Sequence, residues 1–270
     1  VSQDTKDITT LGRGGSDTTA VALAAVLEAE VCEIYTDVSG IYTADPRVVP
    51  GARRLATLSF DELLEMTATG CPKPEMRSVE FARRYNVALH VRSAMTWEPG
   101  TWIKEGASME AAVVSGVTHD TSEAKVTVQG VPDHPGVAAR LFRALADNSV
   151  NVDMIVQNVS LDGSTDISFT LPKEDLTRAL DVCRALATEI GNVGLIDDSG
   201  IARVSIIGAG MKTHPGVAAT MFETLASVGV NIEMISTSPI RISCVVRASD
   251  LEIAVTSLHG AFELDAPRLS

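Results

Sequence analysis

His134-Pro135-Gly136-Val137-Ala138-Ala139 recurs without change as His214-Pro215-Gly216-Val217-Ala218-Ala219, an offset of 214 − 134 = 80 residues. The same offset aligns Phe142 with Phe222, Leu145 with Leu225, Asn151 with Asn231, Met154 with Met234 and Ile155 with Ile235. Self-similarity at a fixed period outranks local propensity as a guide to architecture. The carboxy-terminal half therefore reads as one module written twice.

Each copy opens on an alternating stretch, Lys125-Val126-Thr127-Val128 in the first and Arg203-Val204-Ser205-Ile206 in the second. Alternation marks a half-buried strand. In the Pro-Gly turn that follows, Pro suits a first helical turn and Gly permits close approach of backbone or ligand. Val137, Leu141, Phe142 and Leu145 then recur at helical spacing, an apolar stripe that must lie on a sheet. A β-branched strand follows, predicted over 150–159 in copy one and 230–235 in copy two. A hairpin strand and helix complete each copy, over 165–171 and 176–190 in the first and 240–247 and 251–262 in the second. The order is βαββαβ-like, a ferredoxin-type α+β unit.

That pattern resembles the ACT domain, a regulatory fold that binds amino acids between the first strand–helix turn and the Asn-bearing strand. A helix-start turn alone explains a single His-Pro-Gly. The tandem pair, with polar Asn151, Asp153 and Gln157 on an otherwise apolar strand, favours ligand binding. The resemblance places effector contacts at Asp133, Pro135, Gly136, Val137 and Ala138 and at Asn151, Val152, Asp153 and Gln157, with Asn231, Ile232, Thr237 and Ser238 from the second module. One unit of such a pair is often inserted in the other, which makes residues 113–119 a candidate strand of the second module.

The whole chain has 270 residues, 45% apolar and 21% charged, ample for a sizeable core divided among domains. A net charge of −13 argues against nucleic-acid and anionic-membrane surfaces, which need clustered Lys and Arg. Cys32, Cys71, Cys183 and Cys244 are far apart and lie in or near apolar stretches, so buried reduced thiols are expected. With neither a signal peptide nor a membrane-length apolar run, a cytoplasmic location is expected.

The first hundred residues are of another kind. Thr9-Thr10-Leu11-Gly12-Arg13-Gly14-Gly15-Ser16-Asp17 precedes an Ala-rich helix expected from about Thr18 to Glu28. Glycines with Ser and Asp at a helix start make an anion nest, and Arg13 adds a planar cation suited to carboxylate or phosphate. No G-x-x-x-x-G-K-[ST] occurs, so the loop is not a P-loop. Cys32-Glu33-Ile34-Tyr35 reads as a buried strand ending at Thr36-Asp37, followed by Val38-Ser39-Gly40-Ile41-Tyr42-Thr43-Ala44-Asp45-Pro46-Arg47. Open α/β sheets carry ligand groups at such strand ends. Tyr42 is suited to stack on a base and Arg47 to meet a phosphate; the alternative is that Asp45-Pro46 is only a turn.

TTLGRGGSD, YTDVSGIYTADPR and RSVEFARRYNVALHVRS together closely resemble aspartate kinases of the amino-acid kinase family, as does the tandem ACT tail. The resemblance runs from about Val1 to Phe262. It implies a partial amino-acid-kinase α/β sandwich over 1–105, followed by ferredoxin-like ACT domains over 120–198 and 199–266. It further implies ATP-dependent phosphorylation of the L-aspartate side-chain carboxylate, the first step toward lysine, threonine and methionine, with lysine and/or threonine as effectors. Arg13, Gly14, Gly15 and Ser16 would face aspartate and the transferred phosphate, and Asp17 would order neighbouring cations. Thr36, Asp37, Tyr42, Thr43, Ala44, Asp45, Pro46, Arg47 and Lys73 would form the nucleotide site, with Mg²⁺ carried by the ATP phosphates and no protein metal site. Arg77 and Arg92 read as a solvated face or salt bridges. Dimerisation, or assembly with another aspartate kinase chain, is expected through the ACT modules.

Two departures qualify the resemblance. The family's opening Lys-[Phe/Tyr]-Gly-Gly strand–loop and early substrate-binding Glu are absent, so the expectation is a chain that opens within the catalytic domain. Where the family has Gly-Ala-Lys-Val-Leu, this sequence reads Gly70-Cys71-Pro72-Lys73-Pro74, which puts Pro at the lysine position and Lys one place later. Lys73 either takes over that contact or the contact is lost. The alternative function is a non-catalytic, amino-acid-binding regulatory chain.

Overall fold

The computed structural model describes residues 4–7, 12, 14–106, 113–159 and 163–265, which form three four-stranded sheets. The first unit comprises α1 (Gly15–Val26), β1 (Val31–Thr36), β2 (Thr57–Leu58), α2 (Phe60–Ala68), α3 (Met76–Tyr85), β3 (Ala88–Ser93) and β4 (Thr101–Ile103). Its sheet runs β1-β3-β4-β2, with β1 parallel to β3 and β4 antiparallel to β3. Alternation along β1 sends Cys32 and Ile34 inward to meet Val21 of α1, Leu63 and Met66 of α2, Val79 of α3 and Leu89 and Val91 of β3.

Helix α1 starts three residues earlier than Thr18, because Gly14 adopts a left-handed conformation (φ 71°) that lets the chain enter the helix at once. Helix α2 opens with a capping box, Ser59 Oγ accepting from the Glu62 N–H and Glu62 accepting from the Ser59 N–H. The Glu62 carboxylate is buried and also accepts from Ser115 Oγ at 2.6 Å and from the Ala209 N–H at 3.2 Å. The cap of a helix in the first unit is thereby fastened to the third. Arg92 pairs with Glu33 across β1 and β3 at 3.3 Å, while Arg77 is exposed on α3.

The second sheet, β7-β8-β6-β9, is built from β6 (Glu123–Pro132), α4 (Val137–Asp147), β7 (Ile155–Val159), β8 (Ser164–Pro172), α5 (Leu176–Ile190) and β9 (Gly194–Asp198). The third, β11-β12-β10-β5, is built from β10 (Ile201–Ile207), α6 (Val217–Ser227), β11 (Met234–Ser238), β12 (Arg241–Arg247) and α7 (Leu251–Ala261). Its fourth strand, β5 (Gly116–Asp120), comes from before the second unit and pairs antiparallel with β10. The two sheets have the same strand order, but the one between β5 and β10 in sequence sits inside the other.

The strands predicted over 150–159 and 230–235 are corrected to Ile155–Val159 and Met234–Ser238. In the first copy the Thr170 hydroxyl accepts from the Met154 N–H at 3.2 Å, while the Asp153 N–H and Met154 carbonyl both bond the backbone of Thr170. Two residues thus oppose one, and the ladder becomes regular only beyond Met154. Val150 and Val230 instead plug the two cores just after their helices.

Met154 and Met234, equivalent by the 80-residue offset, meet in one apolar cluster with Ile201 and Val245 that joins the two modules. The Lys125–Glu233 ion pair lies across the same joint. The loop after β1 is part of the third unit's core: Ala44 and Val49 pack with Val117, Val255 and Leu258. Buried Thr43 reaches the His259 ring of α7, Oγ1 to Nε2 2.8 Å. Burial lowers the His259 pKa, favouring the neutral ring.

Candidate functional site

Loop 37–47, the end of α2 and β5 enclose a cavity of about 400 Å³. Val38, Ile41, Ala44, Met66 and Val117 supply apolar wall, and Asp37, Asp45, Arg47 and Lys73 supply polar groups. An apolar slot with a few convergent polar groups suits a nucleotide, with the base on the wall and the phosphates near the cations. A second cavity of about 520 Å³ adjoins it, sharing Asp45, Arg47, Gly70, Cys71, Pro72 and His119 and reaching Glu75 and Met76.

Seven of the nine nucleotide-site residues expected from the sequence line the first cavity: Asp37, Tyr42, Ala44, Asp45, Pro46, Arg47 and Lys73. Thr36 does not; its hydroxyl turns to the Asp37 carboxylate at 2.9 Å. Thr43 does not line it either; its buried hydroxyl bonds the His259 ring and accepts from the Arg53 N–H at 2.9 Å. The Arg47 guanidinium bonds Asp45 at 2.7 Å and holds that carboxyl below the usual carboxylate range, helped by the charge on His119. Arg47 is otherwise open to solvent, so a phosphate can recruit it only in competition with Asp45.

Lys73 reaches the cavity although a proline precedes it, and its carbonyl accepts from the Cys71 thiol at 3.3 Å. Burial pushes the Cys71 thiol up to about 11, which leaves it protonated and not a nucleophile. The four cysteines are free, three of them buried.

Arg13 lies outside the described residues. Gly14 and Gly15 are half-buried and Ser16 is exposed at the start of α1. Gly14 packs directly on Glu75, whose N–H bonds the Asp17 carboxylate at 3.3 Å. Among the described residues Asp17 therefore orders an amide and the Ser16 hydroxyl rather than a cation. Glu75 thus stands between the start of α1 and the second cavity, which it lines. Among the described residues no three His, Cys, Asp or Glu side chains are grouped to hold a metal ion.

In the sensing half, Gly136 and Gly216 share one backbone conformation, φ 99° with ψ −13° and −14°. Nothing lies within 4 Å of where a side chain would project from either. The positive φ favours glycine at both helix starts, and the first N–H groups of a helix are suited to a carboxylate. Pro135, Gly136 and Asp133 are exposed, as are Asn151 and Gln157. Val137 is corrected: its side chain is in the core, and only its backbone N–H remains for a ligand. Ala138 and Val152 pack on the same core and Ile232 on the equivalent one. Asn231 and Thr237 are exposed.

Two residues of the carboxy-terminal half are tied to the first unit through contacts remote in sequence. Ser238 donates to Glu65 of α2 at 2.9 Å, beside an Arg241–Glu65 ion pair of the same length. Asp153 pairs with Arg203, a buried cation that also meets Glu123 at 3.1 Å and Asp120 at 3.5 Å and donates to the Ala68 carbonyl at 3.0 Å. Arg203, Glu65 and His119 went unnoticed because their roles arise from contacts distant in sequence.

The first unit's α/β sheet and its cleft are joined to two interlocked ferredoxin-like α+β modules. Comparison with known proteins agrees: residues 1–93 match the amino acid kinase family, and residues 126–189 and 204–262 match the ACT domain. An aspartokinase of Mycolicibacterium smegmatis is 57% identical over 269 residues, which is 98% of this chain and 64% of that protein. Among solved structures, an aspartate kinase from Synechocystis is 45% identical with a TM-score of 0.57, over 97% of this chain and 48% of that one. E. coli aspartokinase III, solved with aspartate and ADP, is 28% identical with a TM-score of 0.80, over 94% of this chain and 57% of that one. The chain belongs to the aspartokinase family. It spans 64% of the length of the curated relatives it matches. Among the described residues no helix is long and apolar enough to cross a membrane.

Proposed function

We propose that this chain serves the cytoplasmic, ATP-dependent phosphorylation of the L-aspartate side-chain carboxylate to 4-phospho-L-aspartate, restrained by lysine and/or threonine at its ACT modules. The observation that carries the reading is the nucleotide-sized cavity lined by loop 37–47 and Lys73, adjoined by a second cavity whose wall residue Glu75 packs on Gly14. A carboxylate oxygen forms the bond to the γ-phosphorus while the bond from that phosphorus to the β,γ-bridging oxygen breaks and ADP departs. The nucleophile is already ionised, so no general base is needed, and the protein's work is alignment and charge neutralisation. In this reading Arg47 and Lys73, which line the cavity, would neutralise phosphate charge, and the N-terminus of α1 would hold the acceptor carboxylate. Mg²⁺, carried by the nucleotide, would screen the phosphate oxygens. Assembly with a second copy, or with another aspartokinase chain, would complete the effector pockets.

Pro72 at the family's lysine position supports a second reading, a regulatory chain that binds effector without catalysis. Two measurements on this chain separate them. Mg-ATP at saturating concentration should raise the unfolding temperature, and Arg47→Ala should reduce that shift. Aspartate with ATP should yield acyl phosphate, trapped as the hydroxamate. A chain stabilised by threonine but not by nucleotide would sink the kinase reading and leave the regulatory one.

A further inference from the structure

β5 is a strand of the sensor, yet it is bound to the catalytic unit along its length. The Val117 N–H donates to the Thr43 carbonyl at 2.7 Å, and the Thr118 hydroxyl bonds that of Thr69 at 2.6 Å. Gly70, with φ 120°, touches the next residue so closely that a methyl group there would lie 1.8 Å from the His119 carbonyl oxygen. Asp120 meets Arg203 at 3.5 Å. The backbone of His119 is therefore fixed on both sides by contacts to catalytic and sensing units.

The His119 side chain stands in the wall common to both cavities, near Asp45 and Arg47. Among the described residues no hydrogen bond occupies its ring. Val117, two residues earlier on the strand, lines the first cavity as well. An imidazole with a fixed backbone and a free edge can offer a nucleotide either a flat face for the base or a hydrogen bond to a ribose or phosphate oxygen.

We infer that His119 contacts the bound nucleotide, so that the sensor's own sheet supplies a wall of the nucleotide pocket. The inference rests on reading the cavity as a nucleotide site. Its consequence is a short route between the two functions: a shift of β5 relative to α2 alters nucleotide affinity with no intervening lever. By reciprocity, nucleotide binding must alter effector affinity by the same factor.

The test measures Mg-ADP binding by titration calorimetry on this chain carrying His119→Ala, His119→Phe or His119→Gln, with unfolding temperatures recorded without nucleotide. His119→Ala should weaken binding about tenfold, or ~1.4 kcal/mol, at an unchanged unfolding temperature. Phe should restore affinity if the ring face makes the contact, and Gln if a polar edge does. Where turnover is measurable, KM for ATP should rise while kcat and KM for aspartate hold. Wild-type affinity in His119→Ala overturns this inference alone, and so does failure of both Phe and Gln to restore any affinity. Absence of nucleotide binding by the unsubstituted chain overturns the reading of the cavity and this inference with it.

Discussion

Replacing Glu123 by Gln should stabilise the protein at alkaline pH and leave it nearly unchanged near pH 5. Arg203, 2% exposed, is one cation among three carboxylates, those of Asp120, Glu123 and Asp153. If all three ionised, the cluster around this buried cation would carry a net charge of minus two, with Glu123 the buried carboxylate among them. Burial raises the Glu123 pKa from 4.5 to about 7, against the pull of Arg203 and with repulsion from Asp153 and Asp120 added. The folded state thus binds this proton more tightly than the unfolded chain does. The stability it contributes is complete below pH 4.5, declines as pH rises, and is gone above about 7. A gap from 4.5 to about 7 corresponds to roughly 3 kcal/mol at ~1.36 kcal/mol per unit. Glutamine, isosteric with the protonated acid, removes this slope. Urea unfolding followed by far-UV circular dichroism from pH 5 to 8 should show the variant gaining roughly 2–3 kcal/mol on the parent over that interval. Parallel stability profiles, or a variant less stable at pH 8, would show that Glu123 is an ordinary ionised partner of Arg203 and refute the argument.

Gly70→Ala combines a φ of 120° with a methyl 1.8 Å from the His119 carbonyl, so the α2–β5 contact must open. A loss of about 2–4 kcal/mol is expected, and an unchanged unfolding temperature would contradict it. Leu141 is fully buried beneath α4, and Leu141→Ala should cost ~2–5 kcal/mol in urea unfolding. Gln157 is exposed on β7, so Gln157→Ala should change stability by less than about 0.5 kcal/mol while abolishing stabilisation by threonine. An intact threonine response would remove Gln157 from the effector site.

How legible each part was depended on how local its cause is. Helix α5 occupies the 176–190 span that its periodicity predicts, because an apolar stripe needs only its own residues to be recognised. The Pro-Gly turns do precede helices as expected, but the helices start at Val137 and Val217, so each Pro lies before the first turn and each Gly is a left-handed N-cap. Strand β7 was read five residues too early, because the Thr170 hydroxyl on the neighbouring strand takes up the Met154 N–H. Thr43 looked like a ligand group beside Tyr42 and Asp45. Its partner, His259, lies 216 residues away and leaves no trace in the loop's own pattern.

By itself the sequence determined the duplicated module, the glycine loop and Tyr-Thr-Ala-Asp-Pro-Arg loop that resemble those of amino-acid kinases, and the Pro72 that precedes Lys73. Those features are written in periodicity and in short runs whose chemistry is local. Only the tertiary structure decided that strand β5 of the third sheet lines the cavity beside loop 37–47, that the loop after β1 is rooted in the third unit's core, and that Arg203 ties Asp153 to the end of α2. These are packing and charge contacts between remote segments. They exist because a buried polar or charged group must find partners wherever the fold brings them.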